Sequence, residues 1–179
     1  EGFFNSVNAL SASPADGALR QVFIAAGDDL AYSVTQVAGG LAGLRSEVLT
    51  MAGQAAALAS SQLAQLADLN GRMVGSSQGS LNPLLDERDR LLRELSGTIG
   101  ISASFDSGGR VRVTLGSAPG GPVLLEGDVA TGIGLAEAGG LVLNLTRGGV
   151  TSQTRQLSGG TLQGLAASLG AVDAAAAEL

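Results

Sequence analysis

The sequence predicts an α+β fold: an elongated antiparallel helical bundle with an inserted small antiparallel β domain. Three observations predict it. Apolar residues recur with a seven-residue helical period through the first half of the chain. Charge is concentrated in one short stretch, "DERDRLLRE", flanked by leucines. The period then changes from helical to two near Gly100 and returns to helical near Gly159. Residues 1–98 and 159–179 are therefore assigned to a helical bundle domain, and residues 99–158 to a small β-rich inserted domain.

"EGFFNSVNALSA" at 1–12 reads as the end of a helix, with Phe3, Phe4, Val7 and Leu10 on one face. Ser13 is placed as the N-cap of the next helix, with Pro14 at its first position and Asp16 in its first turn. Leu30, Val34, Val37, Leu41, Leu44, Val48, Met51, Ala55 and Leu58 follow at spacings 4,3,4,3,4,3,4,3, which is a heptad seam. The seam slips by one residue and resumes at Leu63, Leu66, Leu69 and Met73. A helix from Pro14 to Met73 spans roughly 90 Å at about 1.5 Å per residue. Gly27, Gly39, Gly40, Gly43 and Gly53 lie inside it. Each costs about 1 kcal/mol against alanine, so neighbours must hold the helix, and residues this small let them approach closely.

"GSSQGS" at 75–80 reads as a flexible loop. Asn82 is placed as the cap of the next helix, with Pro83 at its first position and Asp86 and Glu87 where the helix dipole favours acids. Leu84, Leu91 and Leu95 form its apolar stripe, widened by Leu85 and Leu92. Beyond Gly100, "ISASFD" and "RVRVTLG" alternate around the turn "SGG", and "PVLLEG", "LVLNLTRGG" and "VTSQTRQL" continue as short strands. "SGGTLQGLAASLGAVDAAAAEL" returns to helix, with Leu162, Leu165, Leu169 and Val172 on one face.

Composition excludes several kinds of chemistry. The 179 residues contain no cysteine and no histidine, which removes disulfides, thiol chemistry, Cys/His zinc sites and histidine-based catalysis. The chain is 45% apolar but only 3% aromatic, so a thin core of leucine, valine, isoleucine and alanine is expected. A net charge of −6 disfavours nucleic acid and anionic membranes as partners. No apolar run reaches the roughly 20 residues of a membrane span, and no signal peptide is visible. The opening "EGFF", without Met, reads as a fragment of a longer protein.

Seven of the nine residues from Asp86 to Glu94 are charged, four acids and three arginines. A hard-metal site needs several converging carboxylates without competing cations. Here Asp86, Glu87 and Asp89 point in different directions around a helix, and Asp86–Arg90, Asp89–Arg93 and Arg90–Glu94 stand at i,i+4, where ion pairs form. The stretch reads as a solvated, ion-paired face. "GIGLAEAGG" superficially resembles a dinucleotide loop, but Glu137 stands where the third glycine belongs and no helix clearly follows. "NLT" at 144–146 is a glycosylation acceptor pattern of very low specificity. The serines have no histidine or lysine base beside them. No catalytic, cofactor-binding or metal-ligating residue is assigned, and no enzyme activity is expected.

Four stretches together carry a family resemblance. They are "LADLNGRM", a Gly/Ser loop, "NPLLDERDRLLRELS" and "IGISASFDSGGRVRVTLG". The run resembles the flagellar hook-associated protein 1 family, the first hook–filament junction proteins. Asn82, Leu84, Leu85, Asp86, Arg88, Asp89, Leu91, Leu92, Glu94, Leu95 and Ser96 match that family's charged helix. "SGGRVRV" matches its hairpin, "GPVLLEG" the segment after it, "EGFFNSVNALSASPADGALRQ" the stretch upstream and "SGGTLQGL" the return helix. Pro83 departs from the family's usual acid, and the family's terminal coiled-coil segments are absent from this sequence.

The resemblance implies a structural part of the bacterial flagellum, an extracellular junction between hook and filament, exported through the flagellar secretion apparatus. Its implied partners are neighbouring copies, the hook protein and the second junction protein. The fragment alone is expected to be monomeric. In a ring of identical subunits a row of alternating charge sets a neighbour's register, which makes Asp86, Arg88, Asp89 and Arg93 the candidate docking face. Two alternatives stand beside this reading. One is another axial flagellar protein, flagellin or the second junction protein. The other is a carboxylate-dependent hydrolase.

Overall fold

Asp16 caps the longest helix, in place of Ser13. Its Oδ1 accepts the backbone N–H of Ala18 at 2.8 Å and of Leu19 at 3.3 Å. Pro14 stays outside the helix, where its carbonyl accepts two hydrogen bonds from the Arg20 guanidinium. The structure, a computed structural model, describes residues 2–74, 76, 78–118 and 120–179, with backbone alone for 78–80. In order the elements are α1 (Gly2–Ala12), α2 (Gly17–Met73), α3 (Gln78–Thr98), β1 (Ile101–Phe105), β2 (Val111–Leu115), β3 (Val123–Glu126), β4 (Val129–Ala130), β5 (Gly132–Glu137), β6 (Leu141–Arg147), β7 (Val150–Thr154) and α4 (Gly160–Ala177). The α+β class expected from the change of period is the class observed. Among the described residues no helix is long and apolar enough to cross a membrane.

Helix α3 starts earlier than expected. Asn82 is not its cap, and Pro83 lies inside it, because the helix already begins at Gln78. The proposed loop at 75–80 is correspondingly short: residues 78–80 are helical, and 75 and 77 lie outside the described residues.

By their contacts, Glu1–Ser46 with Val172–Leu179 form one compact unit and Glu47–Ala171 another. In the first, α1 folds onto the start of α2 through the rings of Phe3 and Phe23, 5.5 Å apart. The Arg45 Nε donates to Asp173 Oδ1 at 2.8 Å, joining α2 to α4. From Asp28 to Gly40, α2 is exposed on every side.

In the second unit, α2, α3 and α4 share one core with both sheets. Of the first half of the heptad seam, Val48 is buried, but the buried face of α2 otherwise runs through other residues. Met51 and Leu58 are 39% and 52% exposed, whereas Ala52, Ala56, Ala59 and Leu63 are at most 2% exposed. Alanines bury here because a side chain of one carbon lets neighbouring backbone come close. Of the five glycines expected to serve that end, Gly27 faces the Phe3 ring, 3.8 Å from where its Cβ would stand, and the other four do not serve it. Among the described residues, no atom comes within 4 Å of where a Cβ would stand on Gly39, Gly40, Gly43 or Gly53. The second half of the seam behaves as expected, with Leu63, Leu66, Leu69 and Met73 all buried. So do Leu91 and Leu95 of α3, and Leu162 and Leu169 of α4.

The expected β unit proves to be two antiparallel sheets, ordered β1-β2-β3-β4 and β5-β6-β7. "GIGLAE", read against a dinucleotide loop, is strand β5 and pairs with β6 from Gly132↔Thr146 to Glu137↔Leu141. The chain leaves the helices and returns to them through a narrow neck. There Gly100 N donates to Gly159 O at 3.1 Å, and Gly116 N to Gly100 O at 2.9 Å. A Cβ on Gly100 would stand 1.6 Å from the Ser158 carbonyl oxygen, so only glycine fits.

Candidate subunit-docking face on α3

The charged residues of α3 divide into three groups. Arg90 holds Glu87 through a two-pronged contact, Nε to Oε2 at 2.8 Å and Nη2 to Oε1 at 2.6 Å, and reaches Glu94 at 2.5 Å. The hydrogen bonds from Arg90 hold the Glu87 carboxyl below its ordinary value, and the two acids raise the Arg90 guanidinium. This exposed triad fulfils the expected Arg90–Glu94 pair. Among the described residues, neither Asp86–Arg90 nor Asp89–Arg93 forms an ion pair, since Arg90 is committed to Glu87 and Glu94, and Asp89 to Arg88.

Arg88 departs furthest from expectation. Its side chain is only 12% exposed. The Nη1 donates to the Gly109 carbonyl at 2.6 Å, Nε and Nη2 donate to Asp89 Oδ1 at 2.8 and 2.6 Å, and the guanidinium covers the Phe105 ring. The geometry is that of a tie between α3 and the β1–β2 hairpin. Gly109 allows it: at φ +80° it turns its carbonyl toward α3, and a Cβ there would stand 2.9 Å from Leu85 Cδ2. The hairpin turn is itself held by Asp106. Its Oδ1 accepts the N–H groups of Gly108 and Arg110, and its Oδ2 the Arg110 side chain. These bonds, led by the Arg110 side chain, pull the Asp106 carboxyl below its ordinary value.

Asp86 and Arg93 remain. Both are exposed, and no hydrogen bond or ion pair engages either side chain among the described residues. Seven residues apart, they lie on one face of α3, two turns or about 10 Å from each other. Of the four residues assigned to the docking face, the structure thus leaves two open, holds Arg88 in an internal contact and occupies Asp89 as its partner.

Three connecting residues were not singled out from the sequence. Asn70 is 1% exposed. Its Oδ1 accepts Val111 N at 2.9 Å, and its Nδ2 donates to Val111 O at 2.7 Å and Gly127 O at 2.6 Å. It thus pairs with strand backbone as a neighbouring strand would, beyond the bulge where the β2–β3 register shifts. Ser60 Oγ does the same for the open edge of β5, accepting Ile133 N at 2.7 Å and donating to Ile133 O at 3.1 Å. Glu126 joins the two sheets, accepting from Arg112 at 3.1 Å and from Arg147 at 3.2 Å. Asn70 carried a usable signal: with Ala59, Leu63, Leu66 and Met73 it continues the 4,3,4,3 spacing, an amide at a core position.

Comparison with known proteins places the chain in a family. The family described as "Flagellar hook-associated protein FlgK helical domain" matches residues 1–179. Flagellar hook-associated protein 1 of Salmonella typhimurium is 31% identical over 134 residues, which cover 73% of this chain and 24% of that protein. The Escherichia coli protein of that name is 29% identical over the same length. This chain therefore spans about a quarter of the length of the curated relatives it matches. The solved structure of the flagellar hook junction protein FlgK from Burkholderia pseudomallei shares the fold, with a TM-score of 0.80 and 24% identity over 92% of this chain and 31% of that one. With a match along its whole length, the chain belongs to the FlgK helical-domain family of flagellar hook-associated proteins.

Proposed function

We propose that this chain is part of a structural junction between the hook and filament of a bacterial flagellum, exported through the flagellar secretion apparatus and working outside the cell without catalysis. The observation that carries the reading is family membership along all 179 residues. The partners in this reading are neighbouring copies, the hook protein and the second junction protein, and the isolated 179-residue chain is monomeric. The helices at 1–98 and 159–179 form the body, and 99–158 is an insertion carried on it through the glycine neck. The docking face narrows to Asp86 and Arg93, whose side chains no partner engages among the described residues.

The test is a strain deleted for the protein and complemented with its full-length form. Without complementation, filaments should fail to stay on hooks in electron micrographs; firmly attached filaments would refute the junction role. Asp86→Arg with Arg93→Glu should leave the melting of the isolated chain unchanged yet reduce motility. Normal motility would refute the docking face and leave the junction role standing.

A further inference from the structure

Asn70 is followed by Gly71, and this is the one Asn–Gly pair in the sequence. In such a pair the glycine backbone nitrogen attacks the asparagine side-chain carbonyl carbon. The carbon–nitrogen bond of the side-chain amide breaks, ammonia leaves carrying the glycine N–H proton, and a succinimide ring forms. Water then opens the ring to aspartate or isoaspartate. The net change is asparagine plus water giving an acid plus ammonia. Glycine makes the attack easy because it presents no side chain to the approaching carbon.

The fold opposes every part of this reaction. Gly71 is held in α2, whose backbone angles keep its nitrogen away from the Asn70 side chain. The amide is locked by its three bonds to Val111 and Gly127, and at 1% exposure it is closed to water. The product, in turn, opposes the fold. A carboxylate has lost the two N–H donors and would face the carbonyl oxygens of Val111 and Gly127 with acceptors alone, as a buried charge. Isoaspartate would also add a backbone atom inside the helix. Nothing in the fold requires the glycine: its φ is not positive, and among the described residues no atom lies within 4 Å of where its Cβ would stand.

We propose that Asn70–Gly71 is a deamidation site gated by folding: the unfolded chain loses ammonia at Asn70, and the product no longer forms the join between α2 and strands β2 and β3. A chain held unfolded too long thereby marks itself as unable to complete its fold.

The experiment incubates the 179-residue chain at mildly alkaline pH, in buffer and in concentrated urea, and follows the Asn70 peptide by mass spectrometry. Deamidation should be at least about tenfold faster in urea, because in buffer it proceeds only in the fraction of molecules that are open. Equal rates would overturn the gating. Gly71→Ala should slow the reaction in urea while leaving the native melting temperature intact or raised; an unchanged rate would remove Gly71 from the mechanism. The urea-aged chains are then refolded and separated from misfolded material. Deamidated chains should be missing from the native fraction. Finding them there, with the Val111 amide still protected from hydrogen exchange, would overturn the consequence. Asn70→Asp made directly should lose that protection or fail to fold, and a variant with native protection would count against the proposal in the same way.

Discussion

The Arg88 guanidinium lies over the Phe105 ring, 4.4 Å from its centroid, while its Nη1 donates to the carbonyl of Gly109. A residue that belongs by its neighbours to a solvated charge cluster thus holds the β1–β2 hairpin against α3. A hydrogen bond from a charged group contributes about 1.5–3 kcal/mol and a cation over a ring about 0.5–1 kcal/mol. Arg88→Ala should therefore lower stability to urea by about 2–4 kcal/mol. Arg88→Lys should recover only part of this, since an ammonium lacks the planar fork. Arg93→Ala should stay within about 0.5 kcal/mol of the parent. Equal effects at 88 and 93 would return Arg88 to the solvated face.

Leu95 is fully buried and Leu91 is 2% exposed, both in the core shared by helices and sheets. Leu95→Ala should cost about 2–5 kcal/mol. Leu91→Asp or Leu95→Asp should abolish cooperative melting, because each places a charge in the apolar core shared by helices and sheets. A circular dichroism melt unchanged in both acidic variants would contradict the packing.

How far the sequence carries depends on the range of the interaction. Helix and strand positions follow from the spacing of side chains near in sequence, and β2, β6, α3 and α4 fall where their apolar residues place them. The buried face of α2 was misplaced because the seam was traced through large residues, and Ala52, Ala56 and Ala59 do not stand out in an alanine-rich chain. Strand β5 was missed because "GIGLAE" alternates apolar residues with glycine and not with polar ones. Arg88 was misread because its partners lie 17 and 21 positions onward, across a hairpin whose placement against α3 no local pattern reveals.

Acid should weaken the fold through Glu87 and Asp106. Both carboxyls lie below their ordinary values, Glu87 chiefly through hydrogen bonds from Arg90 and Asp106 chiefly through the Arg110 side chain. A depressed folded-state pKa means that the unfolded chain takes up protons first as pH falls. The stabilising contribution is therefore complete above the ordinary carboxylate range and is lost below about pH 4 as the folded groups protonate. The melting temperature should be level from neutrality to about pH 5 and then fall. Glu87→Gln with Asp106→Asn should make the acid limb shallower; a limb of unchanged slope would assign acid sensitivity to other carboxylates.

The stretch of α2 from Asp28 to Gly40 should exchange its amide hydrogens faster than the stretch from Ala52 to Asn70. Leu30, Tyr32, Val34 and Val37 are 40–67% exposed there, so little packing supports the helix. An unsupported helix shorter than about 12–15 residues is marginal in water, and Gly39 and Gly40 weaken it further. Hydrogen exchange read by mass spectrometry should show this contrast in the isolated chain. Uniform protection along α2 would mean that a neighbour covers the exposed seam, and light scattering would then reveal an oligomer in place of the expected monomer.

Two glycines should respond in opposite ways to the same added methyl group. Gly53 sits mid-helix in α2 with no atom within 4 Å of where its Cβ would stand, among the described residues. Gly53→Ala should stabilise by about 1 kcal/mol, from helix propensity alone. Gly100 sits in the neck, where the same methyl would lie 1.6 Å from the Ser158 carbonyl oxygen. That contact is with backbone and cannot be relieved by a rotamer change. It would push apart the two chain segments that Gly100 N and Gly159 O join at 3.1 Å. Gly116 N, which donates to Gly100 O, would move with them and disturb the end of β2. Gly100→Ala should therefore lower the melting temperature sharply and expose the amides of β1 and β2 to exchange before those of α2. If Gly100→Ala melts at the parent's temperature, the neck is looser than its hydrogen bonds indicate, and the two sheets are held on the helices by the shared apolar core and by Ser60, Asn70 and Arg88.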